Sequence, residues 1–256
     1  MIFGALEFPT IEQLVEWPNI IGDDGVWWGL NKIGLIYLIS LLVTALLFVL
    51  AARRKAMVPK GPQNLAESSV AFIRDGIVMQ TIGPDGLRYM PFLVSLFFYI
   101  LISNFFSVIP GFHMPGNARM AGPAFLALVT FVFFIAVGLR HQGPKYFWNA
   151  VAPPGVPKAL YVVVVPIEIL STFIVRPFSL AVRLFANILA GHILLVTFSV
   201  LCITLFVASA LVLALPFSFA MLVALTGFEI MVAFLQAYIF TILAAVYIGG
   251  AMHPEH

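Results

Sequence analysis

Long apolar runs separated by short polar stretches dominate the chain from residue 33 onward. The first three runs cover residues 33–52, 90–109 and 124–139. A helix rises about 1.5 Å per residue, so runs of this length approach or span the roughly 30 Å hydrocarbon core of a bilayer. The pattern therefore predicts three membrane-crossing helices before residue 159.

Residues 63–82 have a different pattern, with polar and apolar positions mixed. Their apolar residues recur at helical spacing: Ala66, Val70, Ile73 and Ile77. Because the charged residues fall on other faces, we predict one amphipathic helix at the cytoplasmic membrane interface. Asn64 and Glu67 have the spacing of a capping box and predict its first turn.

The last apolar region, residues 159–251, is too long for one simple span. Its main breaks are three prolines: Pro166, Pro177 and Pro216. Hydropathy alone allows two, three or four segments, and two strongly tilted helices of about 30 or more residues also use this length. No internal repeat is evident, which disfavours an inverted-repeat transporter.

Composition excludes a water-soluble protein. Of the 256 residues, 62% are hydrophobic and 9% are charged, and the mean hydropathy is +1.08. Soluble domains carry about 45–50% apolar and about 25% charged residues. The net charge of +2 is too small to indicate a nucleic-acid partner, and the single cysteine, Cys202, has no partner for an internal disulfide. An all-α polytopic membrane protein remains.

The distribution of charge predicts the topology. Six Lys and Arg residues lie within residues 53–88 and three within 140–158, whereas residues 1–29 carry five acidic residues and no Lys or Arg. Cytoplasmic loops are enriched in Lys and Arg. The acidic N-terminal segment is therefore predicted outside, and it lacks the positive region of a secretory signal.

Several polar residues fall inside the apolar runs. The ionisable ones are Glu168, Arg176, Arg183, His192 and Glu229, and the notable neutral ones are Asn104, Asn187 and Gln236. An ionisable group in a span costs at least about 2.5–3.5 kcal/mol, so each is a functional candidate.

The spacing of these residues predicts how two helices face each other. Asn187 lies one turn after Arg183 and shares its face, while His192 lies on the opposite face, about 13.5 Å further along. Glu229 and Gln236 are seven residues apart and share one face. In an antiparallel pair of helices, Arg183 comes opposite Gln236 at the same register that brings His192 opposite Glu229.

Most of these residues also have a purely structural interpretation. Gln236 and Asn104 are typical of hydrogen bonds between membrane helices. Arg176 precedes a proline and can extend its charge towards the interface. His192 and Glu229 can form a plain hydrogen-bonded pair.

Arg183 has no such alternative. Arginine cannot lose its proton in a protein, and no acid in its own helix lies at pairing distance, since Glu168 is about 22 Å away. The side chain therefore needs a carboxylate or water from elsewhere.

Two other functional classes fit a mid-membrane arginine less well. A secondary transporter or cation antiporter predicts a pseudo-repeat and a substrate pocket, and the sequence indicates neither. An intramembrane enzyme predicts a motif such as HExxH, GxSxG or a pair of catalytic aspartates, and none is present.

Four segments resemble a known family. The sequence SLAVRLFANI at 179–188, AGH at 190–192 and FLQAYIF at 234–240 resemble the signature of subunit a of the rotary ATP synthase. NFFSVIP at 104–110 is similar to an earlier element of that family.

This resemblance implies a non-catalytic stator in the bacterial plasma membrane, with a cytoplasmic C-terminus and two long, tilted final helices. The implied partners are a ring of c subunits, peripheral-stalk b subunits, the soluble ATPase head and lipid, with no nucleic acid, cofactor or metal. Two half-channels would carry the coupling ion, expected to be H⁺, to and from the ring carboxylates.

The resemblance also assigns roles to residues. Arg183 would separate the half-channels. The outer half-channel would hold His192, Glu229, Asn187 and Gln236; the inner would hold Glu168 and Ser171; Arg176 and Asn104 would be secondary. The expected organisation is an outer segment at 1–29, peripheral helices at 30–158 and a ring-facing helix pair at 159–256.

Two departures from the family pattern accompany the resemblance. His192 precedes the acid Glu229, whereas some bacterial members have the acid first. Glu168 lies one residue further from Arg183 than the family pattern requires, so we expect a bulge or shifted turn between them.

Overall fold

The computed structural model describes residues 19–22, 30–53, 61–109, 116–152, 160–207 and 213–252. Nearly all of these residues lie in helices and turns, which confirms the all-α prediction. A short antiparallel pair, β1 (Asn19–Ile21) and β2 (Leu30–Asn31), precedes the first helix. The prediction for residues 1–29 otherwise lies outside the described residues.

The membrane helices agree closely with the apolar runs. They are α1 (Lys32–Arg53), α4 (Met90–Phe105), α5 (Ala121–Gln142), α8 (Arg176–Val207) and α9 (Leu215–Met252). In the described part of the chain, five helical stretches are long and apolar enough to cross a membrane. One of them runs from Tyr161 to Phe206 and joins α7 (Tyr161–Leu170) to α8.

The last apolar region therefore forms two long helices, as expected from the resemblance. The Tyr161–Phe206 stretch has 46 residues and α9 has 38. At about 1.5 Å per residue both exceed the roughly 30 Å hydrocarbon core. Helices of this length must tilt or extend beyond the core.

The predicted amphipathic helix is present, but it is not one continuous α-helix. It comprises α2 (Pro62–Ile73), a π-helical turn (Arg74–Val78) and α3 (Met79–Thr81). Its predicted apolar face is buried, with Ile73 and Ile77 fully inaccessible.

The predicted capping box is wrong. Gly61 caps the helix at a φ of 64°, no side chain caps it, and Glu67 accepts a hydrogen bond from Gln63 Nε2 (2.8 Å). Pro62 explains this, since its fixed φ favours the first helical position and begins the helix two residues before Asn64.

α9 is the centre of the bundle and contacts α8, α4 and α5. The side chains that it buries are mostly small: Ala233, Ala237, Thr241, Ala244, Ala245 and Gly249. Small residues let membrane helices approach closely and gain van der Waals contact, because lipid supplies no hydrophobic force between them. By contrast, the outward side of α1 exposes large apolar residues such as Leu41 and Leu42, as expected for a surface solvated by lipid.

Gly138 shows how tightly α5 packs against α6 (Lys145–Val151). The ring of Tyr146, which is 4% exposed, lies directly on Gly138, so an added methyl group would overlap it. We expect Gly138→Ala to destabilise the protein by about 1–3 kcal/mol, measured as a lower melting temperature in detergent.

Gly227→Ala is the matched control. Its methyl group meets nothing within 4 Å, and alanine is favoured over glycine in a helix by about 1 kcal/mol. If the two variants melt at the same temperature, Tyr146 does not pack on Gly138.

Candidate functional site

Asn187, Gln236 and Glu229, three of the polar residues that fall inside the apolar runs, lie where α8 and α9 meet. Asn187 Nδ2 donates a hydrogen bond to Gln236 Oε1 (2.8 Å), and further along Cys202 Sγ lies 3.3 Å from Ser218 Oγ. These contacts make the two helices antiparallel, as predicted. The pairing of Arg183 with Gln236 is wrong by one helical turn, because Asn187 takes that place.

Glu229 lies at the predicted level of this helix pair. It is 3% exposed, and its carboxyl carbon lies 3.4 Å from where a Cβ on Gly191 would be. The missing side chain of Gly191 thus makes room for the carboxyl group. His192, the next residue on α8, is also buried (4% exposed), so both members of the predicted pair enter the bundle at one level.

The carboxyl group of Glu229 is buried without a hydrogen-bond partner on either oxygen. The hydroxyl of Ser107, at the end of α4, lies beside it. That hydroxyl donates to the backbone oxygen of Asn104 (2.8 Å). A buried polar group without a partner is costly, so this arrangement favours water or a transferred proton at Glu229.

Asn104 belongs to a polar network that the sequence did not reveal. Asn117 Nδ2 donates to Asn104 Oδ1 (2.7 Å) and to Ser103 Oγ (3.0 Å), while Tyr37 donates to Asn117 Oδ1 (3.3 Å). Both asparagines are fully buried. Asn117 lies in a single 3-10 turn (Gly116–Ala118) between α4 and α5. Polar residues in such short connections are normally solvated, so the sequence does not indicate that this one is buried.

This network leaves Asn104 oriented but not satisfied. Its Oδ1 is held by Asn117, whereas its Nδ2 has no partner, and neither has Gln236 Nε2. Two amide nitrogens and one carboxyl group in this part of the bundle are therefore buried without a hydrogen-bond partner. Groups of this kind are normally paired through ordered water.

Arg183 lies one turn before Asn187 on α8, on nearly the same face. It is exposed, together with the small residues Ala186 and Ala190. Within the described residues it makes no ion pair or hydrogen bond; the ion pair found there is Arg74–Asp75. The inward side of α8 is instead filled by Leu184 and Ile188.

A π-helical turn, Ser171–Val175, separates Glu168 from Arg183. This is the irregularity expected from the extra residue between them. Pro177 gives it a physical cause, since proline has no N–H for the carbonyl four residues earlier and disrupts the regular ladder. A π turn accommodates one additional residue and is frequent at functional sites.

The π turn determines which residues of α7 face inward. Thr172 is 2% exposed and Glu168 is half-buried, whereas Ile169 and Leu170 are 45% and 53% exposed. An uninterrupted α-helix, counted back from the buried Leu184, would turn 169 and 170 inward instead. Ser171 opens the π turn, and the buried hydroxyl oxygen of Thr172 has no hydrogen-bond partner.

Arg176 lies at the same end of the bundle as Glu168. Its guanidinium sits 5.5 Å from the ring centroid of Tyr247 on α9, a cation–π contact. Burial raises the pKa of Tyr146, and the charge of Arg176 opposes that shift. Arg176 is thus held among aromatic rings from two other helices. Among the described residues no group of three or more His, Cys, Asp and Glu side chains is arranged to hold a metal ion.

Comparison with known proteins identifies the family. The family model for the ATP synthase A chain matches residues 34–249. The chain belongs to this family. ATP synthase subunit a of Frankia alni is 43% identical over 98% of this chain and 88% of its own length.

Other relatives carry the same description. ATP synthase subunit a of Rhodococcus erythropolis is 42% identical over 88% of this chain and 84% of its own length. That of Hyphomonas neptunium is 40% identical over 81% of each chain. The predicted resemblance is confirmed, and the five apolar helices make the chain an integral membrane component of an ATP synthase complex.

The extra residue in the π turn predicts that one residue can be removed there with little loss of function. Deleting Ile174, which is 57% exposed, removes one residue and should convert the π turn to an α turn without changing the faces of α7 and α8. We expect the assembled complex to retain most of its proton-driven ATP synthesis in membrane vesicles.

Insertion of one alanine after Ile174 is the matched control. It should rotate Glu168 by about 100° relative to Arg183 and abolish most of the synthesis. A deletion as harmful as the insertion would show that the π turn itself is needed, not the register that it sets.

Proposed function

We propose that this chain is the ion-conducting stator subunit of a proton-translocating rotary ATP synthase. The observation that carries the proposal is Arg183, a permanent charge that is exposed on α8 and has no ion-pair or hydrogen-bond partner among the residues that the structure describes. A charge in that position requires a partner from another molecule. A membrane carboxylate on each subunit of a c-subunit ring is that partner.

The surroundings of Arg183 favour a helical partner. Ala186 and Ala190 lie beside it on the same face, and small residues allow a second helix to approach closely. On α9, Ala220, Ala224 and Gly227 are likewise exposed. The ring would move along this surface of α8 and α9, and lipid would cover the rest.

The outer half-channel is the buried polar cluster around Glu229. Water from outside would reach Glu229 and His192 past Asn104 and its network, then pass Asn187 and Gln236 to the ring. Histidine titrates near neutral pH and relays a proton in either direction. The unpaired amide and carboxyl groups provide hydrogen-bond sites for the water that such a path requires.

The inner half-channel would open to the cytoplasm at the other end of the helical stretch formed by α7 and α8. Glu168 and Ser171 line it on the inward side of α7, and Arg176 lies at its edge in a secondary role. Glu168 and His192 are 24 residues apart, or about 36 Å along a helix. That distance exceeds the roughly 30 Å hydrocarbon core, so in a tilted helix the two residues lie towards opposite sides of the membrane, with Arg183 between them.

Arg183 would drive ionisation of the ring carboxyl and block a direct proton leak. At about 4 Å and an effective dielectric constant of 20, its attraction for a carboxylate is about 4 kcal/mol. The outer half-channel would then return a proton to that carboxylate. Only the protonated carboxyl can turn into lipid, because burial of a bare carboxylate is too costly. The subunit carries no catalysis of its own; the soluble ATPase head does the chemistry, and b subunits hold the stator.

The proposed orientation follows the positive-inside rule in the bacterial plasma membrane. Residues 1–29 and the Asn104 end lie outside, while the amphipathic helix and the C-terminus lie in the cytoplasm. Residues 30–158 then support the ring-facing pair at 159–256. We propose H⁺ as the coupling ion.

Arg183→Gln tests the proposal directly. We expect proton-driven ATP synthesis to fall by about a thousandfold, the equivalent of 4 kcal/mol, while the complex still assembles. Arg176→Lys is the control and should keep substantial activity, since it retains the charge near Tyr247. Normal synthesis by an assembled Arg183→Gln complex would contradict the proposal.

The pair on the outer side gives a second test. His192→Glu places two acids together, whose like charges repel each other, and Glu229→His places two imidazoles together. Each should slow proton uptake. The double exchange restores one acid and one imidazole, so we expect it to recover a clear part of the lost synthesis rate.

The readout is the synthesis rate in membrane vesicles for both single variants and the double variant. Strong coupling between the two changes is expected for residues that act as a unit. If the double variant is no better than its worse single variant, the two residues act independently.

A further inference from the structure

Asn117 is a fully buried residue to which the sequence assigns no role. It lies in the short turn between α4 and α5, and its side chain bonds three others. One of them, Tyr37, is on α1, and the other two, Ser103 and Asn104, are on α4. A single amide group therefore connects α1 to the polar cluster beside Glu229.

The turn that carries Asn117 leaves space for the ring of Tyr37. A Cβ on Gly116 would lie 3.1 Å from Cε1 of that ring, and a Cβ on Gly122 would overlap the Tyr37 hydroxyl. The ring also stacks on Tyr99 of α4, with centroids 6.3 Å apart. These contacts hold the hydroxyl in place, 3.3 Å from Asn117 Oδ1.

A backbone carbonyl fixes the direction of these hydrogen bonds. The hydroxyl of Ser103 has one hydrogen and donates it to the carbonyl oxygen of Ile100 (3.0 Å). Ser103 therefore accepts from Asn117, so the group of Asn117 that faces it is the NH2 group. The same NH2 group faces Asn104 at 2.7 Å, and Asn104 must present its oxygen there. The oxygen of Asn117 is left to accept from Tyr37.

These bonds determine which end of Asn104 is free. Because Oδ1 is bound to Asn117, Nδ2 remains, buried and without a partner. An amide nitrogen donates and does not accept, so this position binds only the oxygen of a water molecule. Water bound in this way keeps both of its hydrogens for other acceptors.

The unpaired acceptors in this part of the bundle belong to Glu229. In the described part of the chain five buried side-chain atoms have no partner, and four of them are Asn104 Nδ2, Gln236 Nε2 and the two oxygens of Glu229. Gln236 repeats the arrangement of Asn104, since its oxygen is held by Asn187. Ser107, three residues after Asn104, lies beside the carboxyl group. Two free donors thus accompany one free carboxyl group.

We propose that Asn117 is a positioning residue of the outer half-channel. It holds Asn104 with its N–H groups free, so that water on the path accepts from Asn104 and donates to Glu229. A reversed amide would present an oxygen instead, and the water would donate to Asn104 in place of the carboxyl group. This inference rests on the proposed function, because it requires protons to enter past Glu229. Asn117 itself transfers no proton.

Asn117→Asp tests the inference with almost no change of shape. An ionised aspartate has two acceptor oxygens and no donor, so Asn104 must turn its NH2 group towards residue 117 and its oxygen towards the path. We expect proton-driven ATP synthesis by the intact complex in membrane vesicles to fall about tenfold, the scale of one misplaced hydrogen bond. Asn117→Leu, which removes all three hydrogen bonds, should also slow synthesis.

Asn149→Asp is the matched control. Asn149 Nδ2 donates to Gln142 Oε1 (3.0 Å), so the substitution removes the same kind of amide bond at the opposite end of α5. It should leave the synthesis rate unchanged.

A second background separates positioning from simple destabilisation. Asn104→Leu removes the amide that Asn117 orients and should itself slow synthesis by a similar factor. In that background Asn117→Asp should cause little further loss of synthesis, since no amide remains to be turned. A destabilising effect of Asn117→Asp would instead lower the melting temperature of the complex in both backgrounds. Tyr37→Phe, which removes only the hydroxyl bound to Asn117, carries the same test if Asn117→Asp does not assemble.

Three results would overturn the inference. Normal synthesis by assembled Asn117→Asp and Asn117→Leu complexes means that the orientation of Asn104 is immaterial. An equal fractional loss from Asn117→Asp in both backgrounds means that Asn117 acts without Asn104. Normal synthesis by the Asn104→Leu complex means that Asn104 does not contact the path. If Arg183→Gln abolishes synthesis while one of these results is obtained, only the positioning role fails; normal synthesis by Arg183→Gln is the failure of the proposed function.

Discussion

Close approach of helices to α9 is the constraint on which the site depends. Lipid supplies no hydrophobic force between membrane helices, so the bundle holds together through contact area and hydrogen bonds. Ala233, Ala237 and Ala244 are fully buried and allow α8, α4 and α5 to pack against one helix. Larger side chains at these positions would separate the helices and open the polar cluster to lipid.

Gly191 is a further small residue that allows close approach, here beside the polar side chains between α8 and α9. Its missing side chain leaves room for the carboxyl group of Glu229 between α8 and α9. The carboxyl group is thereby buried beside Ser107, whereas Arg183 is exposed on α8 about 80° around the helix from Gly191. The pair of helices thus holds a buried acid on α9 and presents a permanent positive charge on α8 to its surroundings. If the proposed function is correct, this separation keeps the access path and the ring contact distinct.

Irregular backbone adapts the long helices to their polar residues. The π turn at Ser171–Val175 keeps Glu168 and Thr172 on the inward side, although the number of residues to Arg183 does not suit a plain α-helix. A second π turn, Arg74–Val78, lies in the amphipathic helix. Each allows a helix to continue while one turn takes an extra residue, so the chain avoids exposing unpaired backbone groups to lipid.

The lengths and faces of the helices follow from the sequence because a bilayer imposes one strong rule. Backbone groups must be paired within each span, so apolar runs predict helices, and the observed α1 and α5 differ from the predicted spans by only one to three residues at each end. The polar spacing likewise predicted the antiparallel order of α8 and α9 and the level of Glu229.

Only the tertiary structure decided which polar groups meet. Asn187, not Arg183, bonds Gln236, because side chains on adjacent turns of one helix face can reach the same partner, and residue spacing does not decide between them. The network of Tyr37, Asn117 and Asn104 joins residues up to 80 positions apart, and neither spacing nor hydropathy records such a contact. The burial of Asn117 and the space that Gly191 leaves for Glu229 arise only when the helices pack together. Several helices jointly determine the contacts of each of these residues, so the local sequence does not indicate them.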